Sequence, residues 1–194
     1  MAIPTRLCVQ KKFYIGGQNI YHMPTIIEIK AHCQNPEKIK NILISKNALF
    51  KGIDHQIDTY FQVPKGRLKL REGNIENHLI QYHRPNQAGP KKSSVTLYKT
   101  APHASLKTVL TNALGIKVVV DKKRAIYFID NIKFHVDVVK QLGSFVEIEA
   151  ISEDSTMPES QLLSQCETYI QLFGISDIDL IDVSYSDMLL DQLK

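Results

Sequence analysis

Two short stretches carry opposite charge on one face of an alternating pattern. Residues 66–71 read GRLKLR, so Arg67, Lys69 and Arg71 share one side of an extended chain while Leu68 and Leu70 share the other. Residues 145–149 read FVEIE, which sets Glu147 and Glu149 opposite Val146 and Ile148. Three cations side by side need open water or a multiply charged anion. Two carboxylates need water, a cation or a metal. If both charged faces look into one cavity, they describe a metal-assisted site for a polyphosphate.

The same inverted alternation recurs along the chain. Residues 25–33 place Glu28, Lys30 and His32 opposite Ile27, Ile29 and Ala31. Asp58, Arg84, Lys99, Lys122 and Arg124 fall on further charged faces, as do Lys133, His135 and Asp137. A sheet packed on helices with its other face wet has this pattern too. A wet face favours mixed charge, however, whereas here one strand face is purely cationic and another purely anionic. Closing the sheet with the charged faces inward makes a polar tunnel, which is costly unless a ligand satisfies it.

The elements that must position these side chains follow from period and punctuation. Strands are expected at residues 25–33, 56–63, 67–71, 77–84, 94–99, 116–120, 125–130, 132–139 and 143–151. Tight turns at Pro64-Lys65-Gly66, Gly73-Asn74 and Asp130-Asn131 make antiparallel hairpins the natural pairing. One helix opens at Asn35 with Pro36 in its first turn and runs to the region of Asn47. Two more span residues 104–114 and 158–173, each followed by a glycine, Gly115 and Gly174. The reading is an α+β fold, mainly antiparallel β: a closed or nearly closed barrel of about eight strands with the three helices covering its apolar outer face. Residues 1–22 show no sustained period and read as a flexible leader, residues 23–176 as one barrel domain. Residues 177–194 form an acidic and apolar tail, read as a short helix packed on the outside of the barrel or as a flexible end.

Composition narrows the class. The chain has 194 residues, 43% apolar and 23% charged, large enough for one domain with a substantial core. A net charge of +4 is too small to imply nucleic acid, and the alternation directs the cations inward rather than onto an exposed stripe. Cys8, Cys33 and Cys166 are far apart and form no CxxC pair, which points to a reducing compartment without a disulfide framework or structural zinc. No apolar run is long enough to span a membrane and the N-terminus lacks a secretory signal, so the cytoplasm is the default location.

Several of these stretches resemble the CYTH, or triphosphate tunnel, family, which includes class IV adenylate cyclases, thiamine triphosphatases and inorganic tripolyphosphatases. IEIKA at residues 27–31 resembles the later part of that family's E-x-E-x-K strand. DTYF at 58–61 followed by GRLKLRE at 66–72 resembles its substrate hairpin, Tyr82 and Arg84 another strand, and residues 122–124 a basic patch. FHVDVVKQLGSFVEIE at 134–149 is the most specific piece and looks closest to sequences grouped with class IV cyclases. The resemblance implies that Lys30, Arg67, Lys69, Arg71, Arg84, Lys99, Lys122, Arg124, Lys133 and His135 contact substrate, with Lys30, Arg71 and Arg84 in catalysis. It implies that Glu28, Asp137, Glu147 and Glu149 hold Mg²⁺ or Mn²⁺. One departure stands out: Ile26 occupies the position of the motif's first Glu.

The expected function is therefore a divalent-metal-dependent triphosphate-processing enzyme acting on ATP or another triphosphate compound. The resemblance leans toward conversion of ATP to cyclic AMP and pyrophosphate. Hydrolysis of tripolyphosphate or thiamine triphosphate is the first alternative. A polyphosphate- or nucleotide-binding protein that lost turnover with the first Glu is the second. The sequence leaves monomer and homodimer equally open.

Overall fold

The computed structural model describes residues 12–15, 18–21, 25–83, 91–92, 94–101, 104–153 and 156–193. Among the described residues, strands β1 (Lys12–Ile15) and β2 (Gln18–Tyr21) pair only with each other. The remaining strands are β3 (Thr25–His32), β4 (Leu49–Phe61), β5 (Arg67–Glu72), β6 (His78–His83), β7 (Lys91–Lys92), β8 (Ser94–Lys99), β9 (Ile116–Ile129), β10 (Ile132–Val139) and β11 (Gly143–Ser152). They form one antiparallel sheet in the order β7-β3-β11-β10-β9-β4-β5-β6-β8. β7 and β8 are separated by Ser93 alone, so one broken strand supplies both edges. The result is an eight-stranded sheet curled into a near-barrel, its edges 9 Å apart.

Two helices close the outer, apolar face. The side chain of Asn35 accepts a hydrogen bond from the amide of Lys38 at 3.0 Å and Pro36 sits in the first turn, which starts α1 (Pro36–Ser45). Gly174, at φ 70°, ends α3 (Glu159–Phe173) in the left-handed conformation that glycine adopts without strain. Ile39 and Leu43 of α1 and Leu162, Cys166 and Phe173 of α3 pack on Ile27, Ile29, Ala31, Phe134, Val136, Val146 and Ile148. Each strand residue in that group alternates with an inward charged neighbour, so burial of the outer face is what turns the charges inside.

Three expectations need correction. Instead of beginning at Gln56, β4 begins at Leu49, because a register shift between Phe50 and Gly52 breaks the period-two pattern. The strands expected at 116–120 and 125–130 are one 14-residue strand, β9. Outward Asp121 and Lys123 alternate with inward Lys122 and Arg124, so the run of charges hides the alternation there. Finally, α2 (Ala104–Leu114) lies outside against β4, with Lys107 paired to Glu72 of β5, but covers only part of the outer face: Val109 is 61% exposed, and Phe50 and Ile53 of β4 remain open at 49% and 58%. Among the described residues no helix is long and apolar enough to cross a membrane.

Candidate active site

The inward faces of β4, β5 and β9 meet at one carboxylate. Asp58 is fully buried and accepts from Lys69 Nζ at 2.8 Å, Arg71 Nε at 2.8 Å, Arg71 Nη2 at 2.9 Å and Lys122 Nζ at 2.7 Å. Burial works against its charge, but Arg71, Lys122 and Lys69 overcome it and hold the carboxyl well below the usual range. Lys122 shows the reverse balance. Burial, aided by Arg71, Arg124 and Lys69 and opposed by Asp58, brings its ammonium down to about 7.

A second cluster lies beside it on β3, β9, β10 and β11. Arg124 donates through Nε to Asp137 Oδ1 at 2.8 Å and through Nη2 to Asp137 Oδ2 at 2.5 Å and Glu147 Oε2 at 2.6 Å. Lys30 Nζ stands 2.9 Å from Glu147 Oε1. These cations hold Glu147 well below the ordinary carboxylate range against the effect of burial. His135 Nδ1 lies 3.1 Å from Glu147 Oε2 and 3.4 Å from Glu149 Oε1, while burial lowers the imidazole's pKa. Potential ligand atoms of His135, Glu147 and Glu149 all fall within 4.8 Å of one another.

That trio fits a divalent ion: two carboxylates and an imidazole supply oxygen and nitrogen donors, and His135 Nε2 is buried without a hydrogen-bond partner among the described residues. Asp137 stands apart from it. Both of its oxygens are engaged by Arg124, and Oδ2 also accepts from the Tyr185 hydroxyl at 2.9 Å. Glu28 is opposite Glu149 in the strand register, half-buried and outside the trio. Ile26 faces Ile151, so an aliphatic pair occupies the level where the motif's first carboxylate would stand.

The loop between β5 and β6 adds a carboxylate that alternation does not reveal. Glu76 is 6% exposed and takes Arg71 Nη1 at 3.2 Å and Lys133 Nζ at 2.8 Å. Its backbone amide and that of Ile75 donate to fully buried Asp54 at 3.0 and 2.8 Å, which aims the loop inward. Glu76 lies outside any periodic stretch, so its sequence position gives no sign of this role. Asp54 was hidden by the register shift before it.

Tyr185 is the other residue that strand reasoning misses. The tail does not lie on the outside. Helix α4 (Tyr185–Asp191) puts Tyr185 and Leu189 against Tyr60, Ile80, Tyr82, Val120, Val139 and Phe145, all facing inward at one end of the barrel. The physical reason is an apolar collar at that end, which only an apolar segment can cap. The Tyr185 ring lies 4.1 Å from Lys30 Nζ, and Arg67 Nη2 donates to Asp187 Oδ2 at 2.7 Å. The Tyr60 and Tyr82 hydroxyls are 3.5 Å apart beneath this cap.

The barrel thus brings together Lys30, Arg67, Lys69, Arg71, Lys122, Arg124, Lys133, His135, Asp137, Glu147 and Glu149. Lys99 is exposed on edge strand β8, opposite buried His78, whose imidazole it faces together with Arg71, Lys133 and Glu76. Arg84 lies outside the described residues.

Comparison with known proteins agrees with this architecture. A protein from Pyrococcus horikoshii OT3, PH1012, is 23% identical with a TM-score of 0.68, covering 84% of this chain and 98% of its own. A candidate adenylate cyclase from Vibrio parahaemolyticus is 19% identical with a TM-score of 0.65, covering 86% and 98%. HpAC1 from Hippeastrum, described as having a dominant triphosphatase activity, is 13% identical with a TM-score of 0.57, covering 87% and 95%. At these identities the likeness is one of fold. No functionally curated protein matches the sequence. The model of the CYTH domain matches residues 25–185, the whole of the barrel and the start of its cap, and the chain belongs to the CYTH domain family.

Proposed function

We propose that this chain processes a triphosphate with the help of Mg²⁺ or Mn²⁺, and that hydrolysis is the reaction its geometry supports best. The observation that carries the reading is the inward set of cations. Lys30, Lys69, Arg71, Lys122 and Arg124 are each at most 9% exposed and, among the described residues, are neutralised by carboxylates of the tunnel itself. Such an array is expensive as pure structure, since buried ion pairs rarely recover their desolvation cost. A linear triphosphate gives the same cations oxygens to hold. Arg71 and Arg124 present planar forks suited to two phosphate oxygens, and the lysines add compact charge.

The division of labour follows from position. Lys69, Arg71, Lys122, Arg124 and Lys133 bind the phosphates and fix them in line, which supplies most of what phosphoryl transfer requires. Lys30, held between Glu147 and the Tyr185 ring, orients the attacking water. His135, Glu147 and Glu149, with Glu28 at the edge, would hold the metal, and a bound divalent ion polarises phosphoryl oxygens and stabilises the leaving group. Phosphates arriving at Lys30 and Arg124 give those cations a second anion and so loosen their hold on Glu147. Hydrolysis is preferred over cyclisation because Tyr60 and Tyr82, the rings suited to stack on a base, are packed together under α4.

Cyclisation of ATP is the second reading, favoured by the resemblance of residues 134–149 to class IV cyclases. Incubating the protein separately with ATP and inorganic tripolyphosphate, with Mg²⁺ or Mn²⁺, and separating the products distinguishes the two. Phosphate released from either compound is expected; cyclic AMP with pyrophosphate would replace hydrolysis by cyclisation. Binding without any product would make Ile26 the position to change, and Ile26→Glu should then tighten metal binding.

A further inference from the structure

The cap at the end of the barrel carries its own anion. Asp187 Oδ2 accepts from Arg67 Nη2 at 2.7 Å, in a pair whose side chains are 21% and 25% exposed. The same carboxylate also accepts from Ser184 Oγ at 2.8 Å and from the Ser184 amide at 3.2 Å, and the Asp187 amide donates back to Ser184 Oγ at 3.2 Å. Asp187 therefore fastens the first turn of α4 and occupies Arg67 at once. One residue before Ser186, the Tyr185 ring covers Lys30 and lies 5.9 Å from Lys122 Nζ. Just upstream, the Ile181 amide donates to the Lys30 carbonyl at 2.9 Å, which ties the approach to α4 to β3. Between α4 and the β4–β5 turn a cleft of ≈ 250 Å³ remains, lined by Tyr60, Gly66, Arg67, Lys117, Ser186 and Asp187.

We propose that α4 is an intramolecular gate on the tunnel, with Asp187 holding Arg67 in place of a ligand oxyanion. This rests on the polyphosphate reading of the tunnel. A polyphosphate that reaches Arg67 through the cleft competes with Asp187 for the guanidinium. Asp187 bears one charge in a partly solvated pair, which is modest in strength, whereas the ligand brings several charges and other cations to meet them. Release of Asp187 removes an acceptor from the first turn of α4, so ligand binding loosens the tail. Tyr185 and Leu189 remain anchored by burial, which confines the change to the helix start and the segment before it.

The probe is inorganic tripolyphosphate in EDTA, so that metal chelation does not intervene. Hydrogen exchange of the wild-type protein is followed with and without it, and its affinity is measured by calorimetry for wild type and Asp187→Asn. The asparagine keeps an acceptor for Ser184 while removing the charge on Arg67. Faster exchange over residues 182–188 on binding, with roughly tenfold tighter affinity in Asp187→Asn, is the expected result. Binding seen only in the variant would support the gate more strongly still. Equal affinity in the two proteins with unchanged or slower tail exchange would overturn the gate and leave the tunnel reading intact. Absence of binding in both proteins would overturn the tunnel reading and the gate together. If Asp187→Asn fails to fold, tail exchange in the wild type decides: acceleration supports the gate and its absence on binding refutes it.

Discussion

Asp58→Asn should be among the most damaging conservative changes available in this chain. Asp58 is 1% exposed and is the common partner of Lys69, Arg71 and Lys122. An amide of the same shape leaves buried Lys69 and Lys122 without a formal counter-charge and Arg71 with Glu76 alone, and its own N–H group points at one of the cations. Breaking a buried pair in this way costs about 3–5 kcal/mol. In a domain of this size each kcal/mol moves the melting temperature by about 2–4 °C, so the expected fall is about 6–20 °C. Lys122 modulates the loss. Its ammonium, brought down to about 7 by burial with Asp58 in place, falls further without Asp58, so toward higher pH it carries less charge and relieves part of the repulsion. The deficit should therefore be larger at pH 6 than at pH 9. Tripolyphosphate, by restoring anionic oxygens, should raise the melting temperature of the variant more than that of wild type. Thermal unfolding followed by circular dichroism at both pH values tests all three points. A fall of less than about 3 °C at pH 6 would refute the reasoning, since it would mean the tunnel cations are solvated rather than held by Asp58.

Other outcomes follow from the same geometry. The Lys122 ammonium has its pKa lowered from 10.5 to about 7 in the folded chain, so between these values the unfolded chain binds a proton that the folded one does not. Stability should rise with pH across that window, and Lys122→Met should flatten the rise in urea titrations; an unchanged slope would contradict the burial of this amine. Glu149→Ala should weaken Mn²⁺ binding in calorimetry while changing stability little, because Glu149 is the more exposed carboxylate of the trio; unchanged affinity would remove it from the metal site. Residues 1–22 are proposed to be dispensable. A protein beginning at Met23 should melt within about 5 °C of the full chain, and a larger drop would make that segment part of the fold.

Much of the barrel was legible because its alternation is inverted: apolar residues on β3, β10 and β11 face helices, and their charged neighbours face inward. The hairpin of β10 and β11, with His135 opposite Glu147 and Lys133 opposite Glu149, could be laid out from period two and the intervening turn alone. The β4–β5 hairpin was legible for the same reason, since Gly66 turns at φ 66° with the Tyr82 carbonyl 2.8 Å from where a Cβ would stand. What escaped lies where period fails. The shift at Gly52 concealed the first part of β4 and with it Asp54. Glu76 and Asp187 come from a loop and a short helix, and Lys133 and Arg67, which they hold, are 57 and 120 residues away in sequence. Pattern reasoning also leaves out neutralisation. It identified a cationic hairpin arm and Asp58 on a charged face, yet Glu76, and the pairing of Asp58 with three cations at once, become visible only once strands are placed around a common interior.

The central claim is that the inward cations are a polyphosphate site rather than an unusual structural core. Calorimetric titration of inorganic tripolyphosphate into the wild type and into Lys69→Ala and Arg71→Ala tests it most directly. The account predicts one site per chain in the wild type and at least about a tenfold loss of affinity in each variant, the scale expected when a charge-assisted hydrogen bond is removed. Folded protein that takes up no tripolyphosphate, or binds it equally well without Lys69 and Arg71, would contradict it.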